Sequence, residues 1–265
     1  MRLNVLWDLF FLVLLGSIAL WYRSEELAHA SVSKLRQFLF YLGLGLALVL
    51  LVGPLPHLAV KNFTAHMVQH VGLMMLIAPL IVIGSPIKVA LNSKSQKVKK
   101  FVCTIGRNLL IRQLFRPEVG FVIFLVTLIS THFSPLADAG MTNSNIHVLE
   151  LFMFLIGGFI YYYPVLEGNP KPFQVPYFAR VLSLFAMMLP ETMTGFFLYS
   201  GNKLLHSLPS DMPNMEGMSE QHSGGAIMWA MGMLIDAIWI ALAVSDWIKN
   251  EKEISEKMEL NDQRS

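Results

Sequence analysis

Two histidines four residues apart, His66 and His70, stand near the start of an apolar run. On a helix that spacing puts both imidazoles on one face, about 6 Å apart along the axis, where they could share one metal ion. The pair would equally serve as interfacial histidines wetted by headgroup water. A second group follows: His132, then His147 and Glu150 three residues apart, with Asp138 and Asn143 in the short stretch between. Two adjacent helices joined there would bring Asp138, Asn143 and His147 close to His132, a set able to ligate or to hydrogen-bond. Capping is the alternative, because Asn143 or Asn145 suits a helix N-cap and Glu150 a first turn, where the macrodipole favours an acid.

A third group is Met212, Met215 and Met218 at a strict spacing of three, bracketed by His206, Asp211, Glu220 and His222. Thioether sulfur is soft, so such a loop suits Cu(I), whereas Mg or Ca would want oxygen ligands. Against this, the chain holds 16 methionines, and Met is a common apolar gap-filler. The single cysteine, Cys103, excludes an internal disulfide and any Cys-x-x-Cys centre, which leaves His, Met and carboxylates for metal chemistry. Two acids, Glu191 and Asp236, fall deep inside apolar runs. Each is a candidate proton relay, or a neutral acid that joins helices.

These groups need elements to position them, and the composition says what kind. Of 265 residues 54% are hydrophobic and 14% charged, against roughly 25% charged in a soluble domain. Too few charges exist to coat a globule, so lipid covers most of the surface. Apolar windows at 3–22, 38–59, 64–84, 118–136, 146–166, 178–200 and 223–247 are each near the length that crosses a bilayer. The expected fold is an all-α bundle of about seven transmembrane helices, with Pro54, Pro56, Pro79 and Pro190 kinking or ending helices. Residues 1–250 then form one seven-helix domain and 251–265 a cytoplasmic polar tail, either a solvated helix or a disordered end.

Orientation follows from the basic residues, which favour the cytoplasmic side. Connections 23–37, 85–117 and 167–180 and the tail after 247 hold three, eight, two and four Lys or Arg, seventeen of the twenty. The opposite side holds only Arg2, Lys61 and Lys203. The N-terminus is therefore expected outside and the C-terminus inside. Ala28-His29-Ala30 after the first span resembles a signal-peptide cleavage site, but cleavage there would put the eight-charge connection outside. With this topology His57, His66, His70, His132, His147, His206 and His222 gather at the outer face, and His29 alone lies inside. No repeat and no nucleic-acid motif is visible.

The segments His66-Met67-Val68-Gln69-His70, Leu73-Met74-Met75 and Ala78-Pro79-Leu80 resemble the bacterial CtaG-type cytochrome c oxidase assembly factors associated with caa3 oxidases. Gly53-Pro54-Leu55, His132-Phe133-Ser134-Pro135-Leu136, Asn145-Ile146-His147-Val148-Leu149-Glu150, Tyr163-Pro164-Val165-Leu166 and Glu220-Gln221-His222 with Gly225-Ala226-Ile227-Met228-Trp229 extend the likeness in the same order. One place departs from the pattern: Leu151 stands where a histidine is expected after Glu150. The resemblance implies a multi-pass protein of the bacterial cell membrane that helps build the copper centre of a haem-copper oxidase, with an oxidase subunit and lipid as partners.

Three functions compete. In the first, copper is held by His66, His70, His132 and His147, captured beforehand by the Met212–Met218 loop and His222, and passed to the oxidase. The second is a zinc hydrolase with three His ligands and a water, using Ser134 or Asp138. The third is a b-type cytochrome with paired histidines on haem. A retinal protein is disfavoured, since the seventh span lacks a lysine for a Schiff base.

Overall fold

A computed structural model of the chain describes residues 2–29, 31–59, 61–166, 168, 170–171, 173–205 and 214–262, with backbone alone at 2–4, 214–216 and 261. Every regular element among the described residues is helical. In chain order these are α1 (Arg2–Ala28), α2 (Lys34–Leu51), α3 (Pro54–Ala59), α4 (Phe63–Val71), a π-helical turn (Gly72–Ile77) and α5 (Ala78–Ile83). Then come α6 (Pro86–Leu91), α7 (Gln96–Arg107), α8 (Leu109–Leu114), α9 (Pro117–Phe133) and α10 (Pro135–Thr142). The last are α11 (Ser144–Val165), α12 (Tyr177–Ser200) and α13 (Asn214–Asp262).

Six helical stretches are long and apolar enough to cross a membrane, and α9 with α10, bent by 67°, supplies a seventh. The all-α multi-span expectation therefore holds, with local corrections. The second span stops at Leu51 rather than reaching residue 59: Gly53 takes φ +93° and Pro54 opens the separate short helix α3. The fourth stops at Phe133, because Ser134 leaves the helical region and caps α10, which Pro135 begins. The connection expected to be a short hairpin is thus itself a helix. Connection 85–117 is also helical, and α7 buries none of its residues while carrying Lys97, Lys99, Lys100 and Arg107, as an interfacial helix does. Helix α13 continues unbroken past residue 250 to Asp262, so the polar tail is helical as far as it is described.

The stretch α4–π–α5 and helix α11 form the buried centre, while α1 turns Leu6, Leu9, Val13 and Leu20 outward. The centre is close-packed: a Cβ on Gly158 of α11 would lie 2.4 Å from the Met74 carbonyl oxygen of the π turn. The π turn has a readable cause. Pro79 has no N–H to give to the Met75 carbonyl four residues earlier, and Trp239 Nε1 of α13 donates to that oxygen instead, at 2.8 Å. At the opposite end of the bundle from the histidines, Arg36 donates to Ser85 Oγ and the Ile83 carbonyl, closing the break where Ser85 takes φ 55°.

Candidate metal centre

The first turn of α4 is set by α13. Asn62 caps it by accepting from Ala65 N at 2.7 Å, and its own amide donates to Glu220 Oε1 at 2.8 Å. Glu220 also accepts from the backbone and hydroxyl of Thr64, so the helix that bears His66 and His70 has a fixed start. Helix α11 begins at Ser144, capped by Asn143 through Asn145 N. That start places Glu150 in the second turn, fully buried. The first-turn, dipole-stabilised role open to it from the sequence is therefore corrected.

Across α4 and α11 three imidazoles meet. The His66 ring is 4.1 Å from that of His70 and 4.5 Å from that of His147, and the ligating nitrogens of all three lie within 4.8 Å of one another. Three donors around one ion bound at about 2.1 Å stand about 3.5 Å apart, so the imidazoles must draw closer together to share one ion. All three are 4% exposed or less, and His147 Nε2 has no hydrogen-bond partner. The arrangement suits a cation such as Zn or Cu that takes neutral nitrogen ligands.

His132 stands beside this group, its ring 5.7 Å from His70. Its Nδ1 lies 2.7 Å from the Leu128 carbonyl, which fixes the proton on Nδ1 and leaves Nε2 as the basic nitrogen. Ligating histidines are commonly held in this way. Phe154 packs between the two, 4.1 Å from His70 and 5.9 Å from His132. Neither oxygen of the Glu150 carboxyl has a hydrogen-bond partner, and the group rests against Gly140 of α10. A buried carboxyl in that state is costly unless a cation or a proton neutralises it.

Two cavities flank the group. One, of about 40 Å³, has His147 and Leu151 on its wall. The other, of about 10 Å³, is bounded by His70, His132, Met74, Met75, Met228 and Glu191, at the lower limit for one water. Glu191 and Asp236 of α13 are neighbouring buried acids, and neither Glu191 oxygen nor Asp236 Oδ2 has a hydrogen-bond partner. Asp138 is half-buried on α10. Sequence reasoning missed the buried thioethers, although Met74 follows His66 and His70 at the same four-residue step. Nothing in the local sequence marks Met228, Phe154 or Gly140.

Most of the methionine segment lies outside the described residues. Met212, Asp211 and His206 lie outside the described residues, as does the Met215 side chain; Met218 is half-buried on α13. His222 contacts the Gly201 carbonyl through Nε2 at 2.9 Å. His57, His66, His70, His132, His147 and His222 do share one end of the bundle, with His29 at the other. The Ser134 hydroxyl donates to the Ser130 carbonyl and caps α10, so it is engaged in structure rather than aimed at the imidazoles. The cavities of about 40 and 10 Å³ at the histidines are each much smaller than a porphyrin.

Three comparisons bear on identity. No solved structure matches the chain. An uncharacterized protein of Mycobacterium bovis is 24% identical over 206 residues, covering 74% of this chain and 31% of its own length. One from Mycobacterium leprae is 26% identical over 204 residues, covering 73% and 31%. The chain thus spans about a third of the length of these curated relatives. The model of the cytochrome c oxidase caa3 assembly factors (Caa3_CtaG) matches residues 13–250. That span takes in the imidazole group, the carboxyl pair and nearly every membrane-crossing helix, so the chain belongs to the caa3 cytochrome c oxidase assembly factor family.

Proposed function

We propose that this protein serves oxidase assembly by holding a copper ion, as cargo, between His66, His70 and His147, and passing it to a cytochrome c oxidase subunit at the outer face of the bacterial cell membrane. The observation that carries this reading is the meeting of three buried imidazoles from two helices within 4.8 Å. Copper as Cu(I) fits the surroundings on two counts. A monovalent ion bound to neutral imidazoles needs a single buried carboxylate such as Glu150 to balance it, whereas a divalent ion needs two. Thioethers of Met74, Met75 and Met228 border the neighbouring cavity, a soft environment. His132 is the candidate fourth donor. The Met212–Met218 segment and His222 would act before this, as a capture site at the same end of the bundle. The role is one of transfer rather than catalysis, as the family description implies.

The test has two arms. Purified protein titrated with Cu(I) against a chromophoric chelator takes up one ion, and His66→Ala with His70→Ala loses at least tenfold in affinity. In cells the same double variant lowers the copper content of the oxidase while haem is retained. Absence of uptake by the unaltered protein, together with unchanged oxidase copper in the variant, sinks the copper reading.

A further inference from the structure

Asp8 of α1 and His57 of α3 meet at the histidine-bearing end, with Asp8 Oδ2 3.0 Å from His57 Nε2. Their side chains are 23% and 42% exposed, so the pair faces outward from the bundle. It does not stand on a closed surface. Asp8 and His57 are on the wall of the cavity of about 40 Å³ whose other wall includes Ser144 and His147. His147 is 4% exposed, its Nε2 has no hydrogen-bond partner, and its nitrogen belongs to the three-imidazole group. One continuous space therefore connects an accessible carboxylate–imidazole pair to a buried ligand.

We infer that Asp8 and His57 form the port through which the metal cation reaches the imidazole group, binding it first and handing it to His147. This rests on the metal-holding reading above and adds the route. A cavity of about 40 Å³ has space for about three waters at most. A cation crossing it sheds most of its hydration, and fixed ligands at the mouth must replace what is lost. A carboxylate beside an imidazole does this: the acid supplies charge and the imidazole a nitrogen of the kind met further in. The apolar remainder of the lining, including Trp7 and Leu151, offers no ligand at which the ion would be arrested. Among the described residues, the other cavity that touches the histidines is smaller, at about 10 Å³, and is lined by deeply placed residues.

The purely mechanical alternative is that the pair only fastens α1 to α3. Conservative variants separate the two. Asp8→Asn and His57→Gln keep hydrogen-bonding groups at the contact but remove the charge and the ring nitrogen. The experiment follows Cu(I) uptake from a weak chromophoric chelate into full-length metal-free protein in nanodiscs, by rate and by final occupancy. The port predicts uptake and release each slowed at least tenfold in the double variant, with final occupancy within twofold of the unaltered protein. Ser144→Leu, which narrows the cavity while leaving Asp8 and His57 unaltered, slows uptake similarly, while His147→Ala lowers occupancy itself. Uptake by the double variant at the unaltered rate overturns the port and leaves the metal-holding reading intact. If the unaltered protein takes up no ion, both fall.

Discussion

A methyl group added at Gly140 would lie 2.0 Å from Glu150 Oε2 and 2.7 Å from Oε1, so alanine there displaces the carboxyl. Because Glu150 is fully buried, the displaced group meets packed atoms. Gly140→Ala is expected to cost about 1–3 kcal/mol, the usual scale of overpacking, and to weaken Cu(I) binding by moving the counter-charge. Combining it with Glu150→Ala removes the clash, so the two changes are non-additive by about 0.5–3 kcal/mol. Thermal unfolding of the four proteins of that cycle checks this, and additive losses would mean that the carboxyl does not rest on Gly140. At this scale the sequence was partly legible. The step from His66 to His70 declares a shared helix face, and His147 with Glu150 declares another. That the two faces meet depends on the approach of α11 to α4, which no local spacing encodes, and Glu150 takes its environment from α10, read from sequence as a short hairpin.

Proline placement was legible among the elements, but its effect was not uniform. Pro54 follows the break that ends α2, and Pro135 opens α10, because each stands beside a residue outside the helical region, Gly53 and Ser134. Pro79 and Pro190 lie within continuing helical structure. At Pro79 the reason is a donor from elsewhere in the chain, since Trp239 Nε1 takes the Met75 carbonyl that proline leaves without an N–H. A proline carries no information about such distant compensation, so the π turn was not foreseeable. Trp239→Phe keeps the ring packed on its neighbours and removes the donor, leaving a buried carbonyl unsatisfied. The expected cost is about 1–3 kcal/mol, measured by thermal unfolding, with a loss of Cu(I) affinity because the π turn continues the helix bearing His66 and His70. An unchanged unfolding temperature would assign the turn to Gly72 and helix packing alone.

For the whole molecule the spans were the most legible feature, since apolar length is fixed by bilayer thickness. The second stops short at Leu51, and the fourth bends 67° into α10, where Ser134 and Pro135 interrupt the helix. Sidedness rests on charge: seventeen of the twenty Lys and Arg fall on connections that share one side, which the positive-inside rule assigns to the cytoplasm. On that assignment the histidine-bearing end would face outward, as the proposed copper transfer requires. The chain carries its own probe of this assignment. Cys103, the sole cysteine, is exposed on α7, in the most basic of these connections. A membrane-impermeant maleimide applied to intact cells is expected to leave Cys103 unlabelled, and to label it once the membrane is opened. Adding a cysteine at the exposed position Asn145, in a Cys103→Ser background, should give the reverse pattern. Labelling of Cys103 from outside would invert the topology and put the imidazole group and its port at the cytoplasmic end. Copper would then have to arrive from the cytosol, so this result decides from which compartment an ion reaches His147.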